Sequence, residues 1–306
     1  MRLKLGRPDL SRHAARFDVP PAGGGFAVTF LGVSTLLFDD GETAVLTDGY
    51  FSRPSLARVG LRKVAPDAAR IDSALARAGI QRLAGVLPVH THIDHALDSA
   101  VVAERTGALL IGGESTANIG RGHGLPDERM RVVSSRDTVA LGSFTVTWVE
   151  SDHCPPDRFP GDITEPVVPP VRAKAYRCGE AWSILVAHAG GRTALVQGSA
   201  GYVSGALAGQ RADVAYLGIG QLGLCDEDYI RTYWAETVEA VGARTVVLTH
   251  WDDFFRPLDE PLRALPYAGD DLDVTMRVFS ELAASQDVRL HFPTVWRRED
   301  PWARLS

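Results

Sequence analysis

GVLPVHTHIDH (Gly85–His95) packs three histidines and an aspartate into its last six residues. A short apolar run, GVLPV, leads into the first histidine, and Ala96–Arg105 follows with helical spacing. The first part predicts a buried strand through His90, and the second a helix closed by Gly107. The polar cluster therefore lies where a rigid strand gives way to irregular backbone, which lets several side chains converge. Imidazole and carboxylate donors suit Zn²⁺ and other borderline divalent ions such as iron. His90 and His92, two apart, can point the same way, while Asp94 and His95 follow on the turn. The alternative is a polar surface turn with Asp94 capping the helix, but a cap accounts for one residue of the four. The helical zinc-protease pattern H-E-x-x-H does not occur.

Upstream, FAVTFLGVSTLLFDDG (Phe26–Gly41) predicts two strands with a turn at Asp39-Asp40-Gly41, and TAVLTD (Thr43–Asp48) a third. Asp67–Gly79 carries Ile71, Leu75 and Ala78 at helical spacing. Downstream, ALLIGG (Ala108–Gly113) predicts a strand and Glu114–Ile119 a short helix. The pattern then returns to strands over Arg131–Glu150. A Pro-rich loop, Cys154–Pro170, precedes a meander of AKAYRC, WSILVAH and TALVQG. The last third alternates: strand Val214–Ile219, helix Asp226–Val241, strand Thr245–Thr249, helix Asp273–Ala284, strand Val288–Phe292. Both halves thus run from strands to strand–helix alternation. That predicts an α/β fold: a four-layer αβ/βα sandwich of two mixed sheets with helices on the outer faces. Residues 1–25 read as a polar lead-in and 26–306 as one domain.

With H-x-H-x-D-H at a strand end in such a sandwich, the chain resembles the metallo-β-lactamase superfamily. The resemblance runs from about Phe26 to Phe292 and includes the opening hairpin, FLGVSTLLFDDGETAVLTDG, which ends near Asp48. It implies two later ligands, His153 in VESDHCPP and His250 in VVLTHWDDFF. One metal would be held by His90, His92 and His153, and a second by Asp94, His95 and His250. In the family an aspartate, commonly after a glycine, bridges the two metals; here TALVQGSAGY puts Ser199 at that position after Gly198. A neutral hydroxyl bridges poorly, which predicts a weakened second site, a pair joined by a bridging hydroxide alone, or a single ion. Asp252 and Asp253 could compensate or serve as supporting or surface groups. Cys154 could approach the metals or act as a small buried residue. Asp48 could orient a ligand histidine or serve the turn.

Composition bounds the function. With 306 residues, 45% hydrophobic and 23% charged, the chain can bury a sizeable core. A formal net charge of −6 gives no footprint for nucleic acid. Three cysteines make no disulfide framework and predict a cytoplasmic setting. No apolar run approaches a membrane span. No dinucleotide fingerprint, phosphate loop or nucleophile elbow is found.

The resemblance therefore implies a zinc-dependent hydrolase using a metal-bound hydroxide, with Asp94 orienting it or taking its proton. The cofactor would be one or two Zn²⁺, with iron or manganese also accommodated. The substrate would be a small ester, lactone, amide or phosphodiester. A non-hydrolytic enzyme of the same fold is a second reading, either a mononuclear iron oxygenase or oxidoreductase, or a Lewis-acid cyclase or lyase. A non-catalytic metal-binding module is a third. Oligomeric state stays open.

Overall fold

The computed structural model describes residues 4–305. Its strands are β1 (Ala27–Phe30), β2 (Leu36–Asp39), β3 (Ala44–Thr47), β4 (Lys63–Val64), β5 (Gly85–Leu87), β6 (Leu109–Gly112) and β7 (Met130–Val132), then β8 (Thr138–Leu141), β9 (Phe144–Ser151), β10 (Val171–Arg172), β11 (Ala181–His188), β12 (Thr193–Gln197), β13 (Val214–Gly218), β14 (Thr245–Thr249), β15 (Arg289–His291) and β16 (Arg298–Glu299). The helices are α1 (Leu56–Leu61), α2 (Ala68–Ala78), α3 (Ile93–Ala96), α4 (Ser99–Thr106), α5 (Glu114–Gly122), α6 (Glu227–Trp234) and α7 (Leu272–Ser285).

Two seven-stranded sheets carry the architecture, in the orders β16-β1-β2-β3-β5-β6-β7 and β15-β14-β13-β12-β11-β9-β8. Each is antiparallel on one side and parallel on the other. The parallel flanks need crossovers, and helices supply all but the one from β12 to β13, which is a loop. Alternation along the strands serves two buried faces. Phe38 and Val45 face Phe144, Val146 and Trp148 of the other sheet in one core. Leu37 and Leu46, one residue along, turn the other way to pack with Ile71 and Leu75 of α2 and Ala103 of α4. The four-layer αβ/βα sandwich follows from this double burial.

Several elements depart from their predicted extents. β5 ends at Leu87, before His90. Pro88 has no N–H to offer the ladder, and the N–H of Val89 goes to Asp48 Oδ1 at 2.9 Å. The helix expected over Ala96–Arg105 is two pieces, α3 and α4. Asp98, at the break, accepts from the N–H groups of Phe51 and Ser52 and from Ser52 Oγ. AKAYRC is not a strand; it makes one 3₁₀ turn at Ala173–Ala175. Its end is tied to the site loops instead, with Cys178 N–H on Phe159 O and Thr91 N–H on Cys178 O. Helix Asp226–Val241 is realised as α6 followed by a π turn, Ala235–Glu239.

From Arg7 onward the lead-in is tied to the body of the fold. Arg7 reaches Asp253 and Ala264 O, Arg16 reaches Leu290 O, and Phe17 stacks on Phe292 at 5.1 Å. Near the other end, β16 pairs with β1 and completes the first sheet. Among the described residues, no helix is long and apolar enough to cross a membrane.

Candidate metal centre

The ends of β3, β5, β9, β12 and β14 supply the centre, from both sheets. Asp48 follows β3, the His90–His95 segment follows β5, His153 follows β9, Ser199 follows β12, and His250 follows β14. Two of these positions are conformationally unusual: Asp48 has φ 53° and His250 φ 56°. Such backbone persists only where the surroundings over-determine it. His250 N–H is held by Val33 O at 2.7 Å. Gly220 is required beside it, since a Cβ there would stand 2.6 Å from His250 Nδ1. Gly198 is likewise required, because a Cβ would meet Val89 Cγ2 at 2.1 Å and push the histidine segment away.

The six residues expected as ligands are brought together in two groups. Donor atoms of His90, His92 and His153 lie within 4.8 Å of one another, and so do those of Asp94, His95 and His250. The groups adjoin: the rings of His90 and His95 are 3.9 Å apart, centre to centre. All are buried except His153, which is half-buried.

Hydrogen bonds fix which nitrogens face inward. His90 Nε2 and His92 Nδ1 are 3.1 Å apart. His153 Nδ1–H donates to Cys154 O at 2.7 Å, leaving Nε2 free. His95 Nδ1–H donates to Asp48 Oδ2 at 2.9 Å, because a carboxylate can only accept. That leaves His95 Nε2 buried with no hydrogen-bond partner among the described residues. Asp94 Oδ2 faces it at 3.7 Å and His250 Nε2 at 3.3 Å. Asp94 caps nothing: α3 has His92 at its N-cap position and no side-chain cap bond.

The electrostatics separate the two groups. Burial holds His90 well below the usual imidazole range, with the neighbouring histidines adding to it. Burial also lowers His92, and takes His153 down to about 4. These three are neutral at pH 7 and present lone pairs. Burial pushes His95 the same way, yet the Asp48 and Asp94 carboxylates outweigh it and raise its pKa. For Asp94, burial opposes ionisation, but His95 and His250 hold the carboxyl well below its usual range.

These donors fit a divalent ion. Zinc–nitrogen bonds of 2.0–2.1 Å in a tetrahedron separate two nitrogens by roughly 3.3 Å, close to the His90–His92 spacing. The orphaned Nε2 of His95 and the acceptor-only carboxylate of Asp94 suit a cation in the second group.

The remaining candidates have other partners. Ser199 Oγ accepts the N–H of Cys154 at 3.0 Å. Asp252 is fully buried, accepting from Val33 N–H at 2.9 Å and pairing with the guanidinium of Arg53. Asp253 pairs with Arg7. Both are scaffold groups behind His250. Cys154 is buried, its thiol 3.9 Å from that of Cys225. Asp157, not singled out in the sequence, meets His92 Nε2 through a side-chain oxygen at 3.2 Å, and Phe159 does so through its backbone oxygen at 3.3 Å. The only signal of Asp157 was a place in the long Pro-rich loop. His13, His188 and His291 lie elsewhere, against Phe292, Asp40 and Asp18 respectively.

No protein-family model matches the chain, and no curated protein matches it significantly. Solved structures do. A candidate metal-dependent hydrolase from Parabacteroides distasonis ATCC 8503 superposes with a TM-score of 0.54 at 10% identity, over 91% of this chain and 99% of that one. CmlA, a diiron β-hydroxylase from Streptomyces venezuelae, also gives 0.54, at 14% identity over 91% of this chain and 54% of its own. YhfI of Bacillus subtilis, a metallo-β-lactamase fold protein, gives 0.47 at 16% identity, over 92% and 95%. This chain has the metallo-β-lactamase fold. At such identities the likeness concerns architecture alone, and fold does not specify reaction. Within the metallo-β-lactamase fold of this chain, the histidine groups occupy the edge where strand ends of both sheets meet.

Proposed function

We propose that the chain is a metal-dependent hydrolase of small molecules, with His90, His92 and His153 holding one ion and Asp94, His95 and His250 a second. The observation that carries the reading is the convergence of six donors from three separate strand ends, their free atoms turned toward one another. These residues would hold a divalent ion, zinc by the donor set, which when bound would supply Lewis-acid chemistry and a more acidic water.

The chain's own residues do the rest. Asp94 is held ionised and faces the interior of the second group, so its carboxylate accepts a hydrogen bond there and orients the attacking water. Asp48 fixes the ring of His95 with Nε2 inward. Cys154 O does the same for His153. Phe159 stands edge-on to His92 and Phe254 edge-on to His250, at 6.5 and 5.5 Å between ring centres. They border the site on two sides and offer an apolar surface to a substrate. The substrate we favour is a small ester, lactone, amide or phosphodiester. The formal charge of −6 argues against a polynucleotide.

The test is chelator-stripped protein assayed against a panel of such substrates, with and without added zinc. Zinc-dependent turnover that His92→Ala abolishes supports the reading, and full activity in a metal-free variant sinks it.

Ser199 favours a second reading. Its hydroxyl is used by the N–H of Cys154, and no carboxylate stands at that position. A single iron with non-hydrolytic chemistry fits that gap, and CmlA, of like fold, is a diiron hydroxylase. Retained iron with substrate-linked oxygen consumption would favour it. Failure to take up any metal would favour a non-catalytic role.

A further inference from the structure

We infer that Asp157 is a positioning residue that sets the ring of His92 for metal binding, an inference that rests on the proposed function. Asp157 lies in the loop after β9, outside the strand ends that carry the six donors. Its Oδ1 is 3.2 Å from His92 Nε2. The same oxygen accepts the N–H of Phe159 at 2.9 Å, which fixes the carboxylate. Phe159 O stands 3.3 Å from His92 Nε2 and is itself held by Cys178 N–H at 2.9 Å. Nε2 of His92 therefore faces two oxygens that can only accept. The ring proton belongs on Nε2, and the lone pair on Nδ1 faces His90 Nε2 at 3.1 Å. Outer partners of this kind fix the tautomer and orientation of a ligand histidine. The consequence is that a surface loop, rather than the sheets, governs one of the three donors of the first group.

His92, Asp157 and the Cys178 thiol also lie within 4.8 Å of one another and form a rival donor set. Two variants separate the readings. Asp157→Ala removes the carboxylate beside Nε2 and the brace on Phe159 N–H that holds the accepting Phe159 O in place, whereas Asp157→Asn keeps an oxygen able to accept from that N–H. Ring ¹⁵N shifts of His92 in chelator-stripped protein should report an Nε2–H tautomer in the wild type and the Asn variant, and a mixture in the Ala variant. Zinc affinity by chelator competition should fall about 10–100-fold in the Ala variant and recover in large part in the Asn variant. An unchanged tautomer and affinity in Asp157→Ala would overturn the inference. So would loss of a whole zinc equivalent there with the His90–His153 site still filled, since Asp157 would then be a ligand. If the wild type bound no zinc, the functional reading would fail while the tautomer result still judged Asp157.

A separate observation concerns the thiols. Cys154 Sγ and Cys225 Sγ are 3.9 Å apart and unbonded, with Cys154 fully buried and Cys225 partly exposed. Cys154 directly follows His153, takes its Nδ1–H on the backbone carbonyl, and gives its own N–H to Ser199. We propose that a hydroperoxide joins this pair and thereby loosens His153. In the step, two S–H bonds and the O–O bond of hydrogen peroxide break and one S–S bond forms. The sulfurs lose two electrons, and two waters leave. A disulfide needs sulfurs about 2.05 Å apart, so Cys154 must shift and carry the carbonyl that orients His153.

Peroxide-treated protein should lose two of its three free thiols, yield a Cys154–Cys225 linked peptide, and bind zinc at least tenfold more weakly until a dithiol is added. Cys225→Ser should block both effects and bind zinc as the untreated wild type does. A linked peptide with unchanged zinc affinity would overturn the proposal, as would oxidation of Cys225 without a link.

Discussion

The two halves of the centre are built from opposite materials. His90, His92 and His153 form a group of neutral, desolvated imidazoles, and burial is what lowers each of them. Asp94, His95 and His250 are organised around a carboxylate, with the carboxyl of Asp48, whose pKa burial raises, behind His95. The supports differ as well. His92 and His153 lean on the loop after β9, through Asp157, Phe159 and Cys154. His95 and His250 lean on buried backbone of the first sheet, through Asp48 at the end of β3 and Val33 in the β1–β2 turn. The difference teaches that the first half offers ligand lone pairs at little electrostatic cost, while the second half carries the charge and the rigidity. The serine at position 199, engaged with Cys154 N–H, leaves both sets of donors assembled.

The sharpest way to break the contrast is His92→Ala. It should empty the first half and take turnover below detection, measured as zinc per chain and substrate hydrolysis together. Asp252→Ala should produce the largest stability loss. It leaves the guanidinium of Arg53, whose side chain is wholly buried, without its counter-ion. Breaking such a pair costs about 3–5 kcal/mol, readable by denaturant unfolding. Asp48→Asn should weaken zinc binding about 10–100-fold in the second half alone, resolved by competition titration in a His92→Ala background.

Acid should act on the first half. Chelator-stripped protein keeps its imidazoles neutral when folded, whereas the unfolded chain protonates them near pH 6.5. Lowered folded-state values mean the unfolded state binds more protons below that point. Stability from His153 should thus be present above pH 6.5 and lost as pH falls toward about 4, with His90 and His92 acting in the same direction. Melting temperatures across that range check it, and a flat profile would contradict the neutral-imidazole account. Ser199→Ala is the smallest perturbation. It removes one hydrogen bond to Cys154 N–H, about 0.5–1.5 kcal/mol, with its effect on the His153 side.

What the sequence made legible follows from periodicity and spacing. The alternation in FTVTWVE became β9, the helical spacing of Asp67–Gly79 became α2, and the clustered histidines came to one edge of the sandwich. What stayed hidden depended on contacts far apart in the chain. AKAYRC has strand-like residues, but its end hydrogen-bonds to the site loops. β16 is two residues long and exists only because β1 offers an edge. Asp252 looked available as a spare donor until Arg53, 199 positions away, was seen to claim it. Asp157 had no local pattern at all; only the folding of its loop against His92 gives it a role.

Calorimetric titration of zinc into chelator-stripped protein, wild type beside a His92→Ala/His250→Ala double variant, addresses the centre most directly. The account predicts saturable binding of about two ions in the wild type, one tighter than the other, and none in the variant. Absence of binding in the wild type, or undiminished binding in the variant, would contradict it.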